Sequence, residues 1–137
     1  MNHLNIEQTT DDTSTLITKC SPEFTPEISD QELDNIYTTI NSITEDQFNL
    51  SDIGTQFDNL VWSEIRNIPF GSTRTYKDIA IQINKPMSFR AVANACGRNK
   101  LALIVPCHRV VGSNDLGGFK WGIDLKKRLL SYEKVLI

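Results

Sequence analysis

Pro106-Cys107-His108-Arg109 sets a thiol, a base and a cation side by side at the mouth of a β-branched apolar run, Leu103-Ile104-Val105 before it and Val110-Val111 after it. Thiolate is the reactive form of cysteine, and nearby positive charge favours it. The run reads as a nucleophile held at the end of a strand. A buried structural cysteine fits the same residues, so their companions must decide. Cys96 falls on the apolar stripe of a helical segment and reads as a small core residue, and Cys20 lies in a weakly patterned stretch. Cys107 differs because Pro106 and His108 flank it at a strand end, away from any helical core face. Three cysteines with no CxxC spacing argue against a disulfide framework and against a zinc knuckle, and for a reducing compartment. His3 and His108 are too few and too isolated for a metal site, so no metal and no cofactor are expected.

Other side chains could serve such a thiol. Glu133 on the closing helical segment could orient His108, and an acid that holds an imidazole which activates a thiol is a familiar relay. Phe119 and Trp121 stand in a glycine-rich loop, where they could grip a flat ring or simply latch the loop down. Tyr76 points coreward by spacing, as a packed aromatic with a satisfied hydroxyl. Arg90 falls in the first turn of its helix, off the apolar face. The helix dipole disfavours a cation there by ~0.3–1 kcal/mol, which fits either placement for a partner or a solvated surface arginine.

The elements that must position these residues follow from periodicity. Asp30 to Ile43 is helical, with Leu33, Ile36, Tyr37 and Ile40 on one face. Phe48-Asn49-Leu50 before Gly54 reads as a short extended piece and a turn. From Thr55 a helix carries Phe57, Leu60, Val61, Ile65 and Ile68 on one face and stops at Pro69-Phe70-Gly71. Thr75 and Asp78 fit a capping box, after which Tyr76, Ile79, Ala80 and Ile83 line one face. Asn84-Lys85-Pro86 breaks the chain. Ser88 then caps a helix whose stripe is Phe89, Val92, Ala93 and Cys96, with Gly97 as its stop. Helix, tight break and second helix together have the form of a helix-turn-helix, in which the start of the second helix approaches DNA. Leu101 to Val105 reads as a buried strand leading into the cysteine. Gly112 to Gly122 is a loop. Asp124 caps a closing helix bearing Leu125, Leu129 and Tyr132.

Charge divides the chain of 137 residues. Residues 1–60 hold one basic and 12 acidic residues, and residues 61–137 hold 13 basic and 5 acidic ones. A basic half suits a polyanion such as nucleic acid, although the acidic half packing on the basic one would explain the same asymmetry. No apolar run approaches the ~20 residues of a membrane span. The polar start, Met1 to Thr10, has no secretory pattern, so the expected location is the cytoplasm, or the nucleus in a eukaryote.

The ordered set Gly54-Thr55-Gln56-Phe57, Val61-Trp62, Ile68-Pro69-Phe70-Gly71, Tyr76, Arg90-Ala91-Val92, Asn99, Pro106-Cys107-His108-Arg109-Val110 and Gly118-Phe119-Lys120-Trp121-Gly122 resembles the O6-alkylguanine-DNA alkyltransferases, or methylated-DNA–protein-cysteine methyltransferases. The resemblance covers Asp30 to Leu136 and is dense from Gly54 onward. It implies an α/β chain: a shortened acidic N-terminal region, residues 1–53, partly ordered, then a mainly helical, winged-helix-like DNA-binding and active-site domain with a helix-turn-helix, residues 54–137. It implies a monomer acting on double-stranded DNA that contains O6-alkylguanine. In it Cys107 would accept the alkyl group once, without turnover. His108 would be the base through a bridging water, Glu133 would orient His108, and Tyr76 would rotate the flanking phosphate and protonate the leaving guanine. Asn99 would brace the active-site turn, and Arg109 would anchor the local fold. Arg90 would fill the stack left by the flipped base, with Tyr76, Ser88 and Ala91 also on the DNA surface. Val110, Phe119, Lys120, Trp121 and Ala102 would form the substrate pocket, the carbonyls of Cys107 and Val110 reading the guanine amino group.

Three departures stand out. The N-terminal region is shorter than the family's usual sheet domain. Lys100-Leu101-Ala102 stands where many relatives have prolines, which would widen the pocket for bulkier alkyl groups. Phe119 stands where some relatives have tyrosine, so a hydroxyl near the guanine oxygen is missing. The competing readings are a non-catalytic, alkyltransferase-like damage-recognition protein, a thiol hydrolase and a winged-helix regulator. Cys107 speaks against the first. The second needs a turn, because neighbours on an extended segment face opposite ways. The third leaves the cysteine run unexplained.

Overall fold

The computed structural model describes residues 25–42 and 54–136, so the stretch around Cys20 and the extended piece at Phe48-Asn49-Leu50 lie outside the described residues. Helix α1, Asp30–Asn41, starts where the Ser29 hydroxyl accepts the Glu32 N–H, and it buries Leu33, Ile36 and Tyr37. Helix α2, Gln56–Arg66, starts at a reciprocal capping box between Thr55 and Asp58. Leu60 was expected on its inner face but is 45 % exposed. Trp62 takes that place, fully buried with its indole N–H on the Ala95 carbonyl at 3.0 Å. Gly54 carries no side chain because a Cβ there would stand 2.4 Å from the Trp62 ring.

Strand β1, Arg74–Thr75, leads into α3, Tyr76–Gln82, through the capping box of Thr75 and Asp78. Asn84 then adopts φ 62°, and the next N–H, that of Lys85, bonds back to the Ala80 carbonyl at 2.9 Å, which closes the helix end. Helix α4, Phe89–Gly97, completes the helix-turn-helix. Two details differ from expectation. Ser88 occupies the N-cap position without a side-chain cap bond, and Arg98, not a left-handed Gly97, follows the last helical residue. Phe89 is 39 % exposed; Val92 and Ala95 make the buried face instead. Arg98 grips the buried Asp58 carboxylate through Nε and Nη2, tying the end of α4 to the start of α2.

Leu101 to Val105 is not a strand. The Asn99 amide winds it into a turn by accepting the Leu101 N–H at 2.8 Å and donating to the Val105 carbonyl at 2.9 Å. An isolated bridge joins Ala102 to Val105, and Leu103 between them takes φ 70°, a left-handed conformation. Cys107–Arg109 then forms one turn of 3-10 helix, and Val110–Val111 forms strand β2. The two strands pair in parallel, Arg74 opposite Val110 and Thr75 opposite Val111, which brings Tyr76 beside the cysteine turn. Helix α5, Ile123–Tyr132, begins at Gly122 with φ 105°, so Asp124 lies in its first turn rather than at its cap.

Five helices and this small sheet thus enclose two adjoining cores among the described residues. One is built on Trp62, Ile65, Val92 and Val105; the other lies between α1 and α5 around Leu33, Ile36 and Leu129. Arg128 of α5 donates to the Ile28 carbonyl and to Asp30, and the Tyr132 hydroxyl donates to Asp34. Part of the acidic half therefore does pack on the basic half. Among the described residues no helix is long and apolar enough to cross a membrane.

Candidate active site

Cys107 opens the 3-10 turn and is 4 % exposed. It lines a cavity of about 280 Å³ with Tyr76, Ala93, Cys96, Gly97, Gly118, Phe119 and Lys120. A larger cleft of about 440 Å³ beside α2 and α3 is lined by residues such as Glu64, Arg74 and Asp78 and contains no thiol or imidazole. Chemistry places the site in the smaller cavity. The Cys107 thiol shares this cavity with Cys96 and accepts the Asn99 side-chain N–H at 3.4 Å. Hydrogen bonding with Cys96, then burial, pushes the Cys107 thiol well up from its ordinary range, against the lowering influence of Asn99 and of the Lys126 ammonium. At neutral pH it rests as a thiol and needs a base.

His108 is fully buried, and its Nε2 lies 2.6 Å from Glu133 Oε2. Glu133 accepts four further hydrogen bonds: Tyr37 Oη on Oε2 at 2.6 Å, Arg109 Nη2 on Oε2 at 3.0 Å, Arg109 Nε on Oε1 at 2.8 Å and the Gly71 N–H on Oε1 at 3.0 Å. Burial opposes the charge of Glu133, but the bonds from His108, Arg109 and Gly71 outweigh it and hold the carboxyl below its usual range. An ionised carboxylate only accepts, so His108 carries its proton on Nε2 and leaves Nδ1 with a free lone pair. That Nδ1 is buried and has no partner among the described residues. Burial lowers the imidazole below its ordinary value despite the attached carboxylate, so it is neutral near pH 7 and able to take a proton. Arg109 closes the arrangement through Nη1 on the Ile68 carbonyl at 2.9 Å.

Tyr76 sits half-buried on the cavity wall. Burial, then the neighbouring Cys96, raises its hydroxyl above the ordinary value, so it stays protonated and can donate. Gly117 has φ 69° and backs directly on the phenol: a Cβ there would stand 2.4 Å from Tyr76 Oη. Phe119 meets the His108 ring edge-on, 6.4 Å between centroids, and leans on Trp121 at 5.2 Å.

The structure gathers Cys107, Asn99, Tyr76, Phe119 and Lys120 around one cavity or against its thiol, with His108 and Glu133 behind them. It does not put Trp121, Val110 or Ala102 on the cavity wall. Trp121 packs on the second core under the Lys120 ammonium, 5.3 Å from its ring centre, and Ala102 is buried in that core. Val110 is buried, its carbonyl taking the Lys126 ammonium at 2.7 Å. Arg90 is exposed in the first turn of α4, with Ser88 and Ala91 half-buried beside it.

Three participants escaped the sequence reading. Lys126 is fully buried, donates to the Val110 and Gly118 carbonyls at 2.7 and 2.9 Å, and is lowered to about 8 by burial. The signal was available: Lys126, Leu129, Leu130 and Glu133 share one helical stripe, so two charges stand on a core face. Cys96 packs half-buried against the first core, as its stripe implied, but it also lines the cavity. Tyr37, read only as an apolar position of α1, reaches Glu133.

Comparison with known proteins places this geometry. Residues 56–135 match the family model described as 6-O-methylguanine DNA methyltransferase, DNA binding domain. A probable methylated-DNA–protein-cysteine methyltransferase of Acanthamoeba polyphaga mimivirus is 58 % identical over 81 residues, 59 % of this chain and 54 % of that protein. The Saccharomyces cerevisiae methylated-DNA–protein-cysteine methyltransferase is 54 % identical over 82 residues, 59 % of this chain and 44 % of its own length. The chain thus spans about half the length of these curated relatives. Among solved structures, Mycobacterium tuberculosis OGT in complex with DNA superposes with TM-score 0.58 at 49 % identity, covering 59 % of this chain and 51 % of that one. The O6-methylguanine-DNA methyltransferase of Pyrococcus kodakaraensis gives TM-score 0.63 at 32 % identity, covering 80 % of this chain and 66 % of that one.

Proposed function

Because the chain belongs to the 6-O-methylguanine DNA methyltransferase DNA-binding-domain family, we propose that it repairs DNA by moving an alkyl group from O6-alkylguanine in a duplex to Cys107. The observation that carries this is the buried thiol at the cavity, backed by a neutral imidazole whose partner is an ionised carboxylate. O6 is hidden inside a duplex, so the damaged base must be extruded, at a cost of a few kcal/mol. Arg90 at the exposed start of α4 enters the gap, with Ser88 and Ala91 against the strand.

In the cavity the ring lies on Phe119, the Cys107 carbonyl reads its amino group, and Lys120 stands at the rim; the Val110 carbonyl, held by Lys126 off the cavity wall, keeps the turn in shape. Ala102 and Trp121 support the wall from behind. His108 Nδ1 takes the Cys107 proton through one water, while Glu133 keeps Nε2 protonated. The new S–C bond forms as the O6–C bond breaks, and the Tyr76 hydroxyl gives a proton to the departing guanine. Asn99 fixes the thiol throughout. The thioether product is stable, so each chain acts once. The same reading assigns residues 54–137 to DNA binding and chemistry and residues 1–53 to an acidic region, in a monomer working in the cytoplasm or nucleus without a cofactor.

The test is a duplex whose O6-methylguanine blocks a restriction site. The repair reading expects cleavable DNA to rise to one equivalent of protein and stop, and to be absent with Cys107→Ala. Tight lesion binding with no cleavable product would move the chain to the non-catalytic damage-recognition class.

A further inference from the structure

Two thiols share the cavity, and alkyl transfer uses one of them. Cys96 is on the last turn of α4 and Cys107 opens the 3-10 turn. Asn99 straddles the pair: its backbone N–H bonds the Cys96 carbonyl at 3.2 Å, and its side-chain N–H bonds the Cys107 sulfur at 3.4 Å. The Lys126 ammonium draws the Cys107 thiol towards thiolate, against the hydrogen bonding and burial that raise it.

We propose that Cys96 and Cys107 form an oxidisable dithiol, which a peroxide closes to a disulfide and a cellular thiol reopens. Its consequence, reversible loss of the alkyl acceptor, rests on the function proposed above; its chemistry does not. The half-buried Cys96 meets the oxidant first. Its thiolate attacks one peroxide oxygen, the O–O bond breaks, and hydroxide leaves and becomes water, giving a sulfenic acid. The Cys107 sulfur then attacks the Cys96 sulfur. The S–S bond forms, the S–O bond breaks, and the departing hydroxide takes the Cys107 proton as a second water. Two thiols lose two electrons, and the peroxide gains them. A nearby resolving thiol also protects the acceptor, because a lone oxidised cysteine continues to irreversible acids.

The experiment treats the whole chain, in a Cys20→Ser background, with hydrogen peroxide and digests it with trypsin without reductant. Arg98 and Lys100 lie between the two cysteines, so they fall on separate peptides unless joined. The expected result is a joined pair lighter by two hydrogens, undone by dithiothreitol, with alkyl acceptance lost and regained in step. Cys96→Ser and Cys96→Ala should both lack the link and show Cys107 gaining oxygen irreversibly. Oxygen gain on Cys107 of the dithiol protein, with no joined peptide, would overturn the proposal. The link is read without DNA. If it forms in a chain that never accepts an alkyl group, the dithiol stands and the repair reading falls; if transfer proceeds and no link forms, only the dithiol falls.

Discussion

Glu133→Gln is the sharpest perturbation of the buried relay. The carboxylate accepts five hydrogen bonds, three on Oε2 and two on Oε1. A glutamine amide replaces one oxygen by a donor, so at least two donors, Arg109 Nε and the Gly71 N–H, would face an N–H group. Arg109, only 12 % exposed, also loses its counter-charge. Removing one partner of a buried ion pair costs about 3–5 kcal/mol, a large share of the ~5–15 kcal/mol that holds a domain folded. With a urea dependence of ~1–3 kcal/mol per molar, the midpoint should fall by roughly 2 M, read by tryptophan fluorescence. Tyr37→Phe removes one donor to the carboxylate and leaves no reversed N–H behind, so it should cost less, about 1.5–3 kcal/mol. Because the native Glu133 pKa is lowered, its stabilisation is fully present above the unfolded value of ~4.3 and fades as pH falls below it. The gap between wild type and Glu133→Gln should therefore narrow from pH 6 to about pH 3. A midpoint shift under about 0.5 M, or a gap that widens in acid, would refute the reasoning.

Gly117→Ala sets a Cβ 2.4 Å from Tyr76 Oη at φ 69°, so it should cost at least about 1 kcal/mol and slow alkyl transfer by displacing the phenol; stability and single-turnover rate check both. Lys126→Met keeps the stem and removes the buried ammonium. The native lysine is lowered to about 8 against an unfolded value of ~10.4, so wild type should gain stability over the variant as pH rises from 8 towards 10; urea titrations across that range measure the difference. His108 is lowered by burial, so the single-turnover rate should hold level from about pH 8 through 6.5, where an ordinary imidazole is already half protonated, and fall only below.

Local rules carried much of the fold. The Thr75–Asp78 capping box, the break at Asn84 and the apolar stripe of α1 depend on neighbours a turn away, and each is present. What failed depends on distant partners. Leu101–Val105 has a strand's composition, but the Asn99 amide competes for its backbone and winds it into a turn. Leu60 lost its inward place to Trp62, whose indole finds the Ala95 carbonyl across the core. At the site, the adjacency of Cys107 and His108 was plain, whereas the Tyr37–Glu133 bond joins residues 96 positions apart. Lys126 shows the limit from another side: its place on an apolar stripe was visible, but only the folded loop supplies the two carbonyls that let it stay there.

The most direct measurement is the intact mass of the protein after incubation with duplex DNA containing one O6-methylguanine, beside Cys107→Ala. Alkyl transfer to Cys107 requires one added methyl per chain, saturating there however much DNA is present, and none on the variant. An unchanged mass on lesion-bound protein, or a methyl retained by Cys107→Ala, would contradict the account.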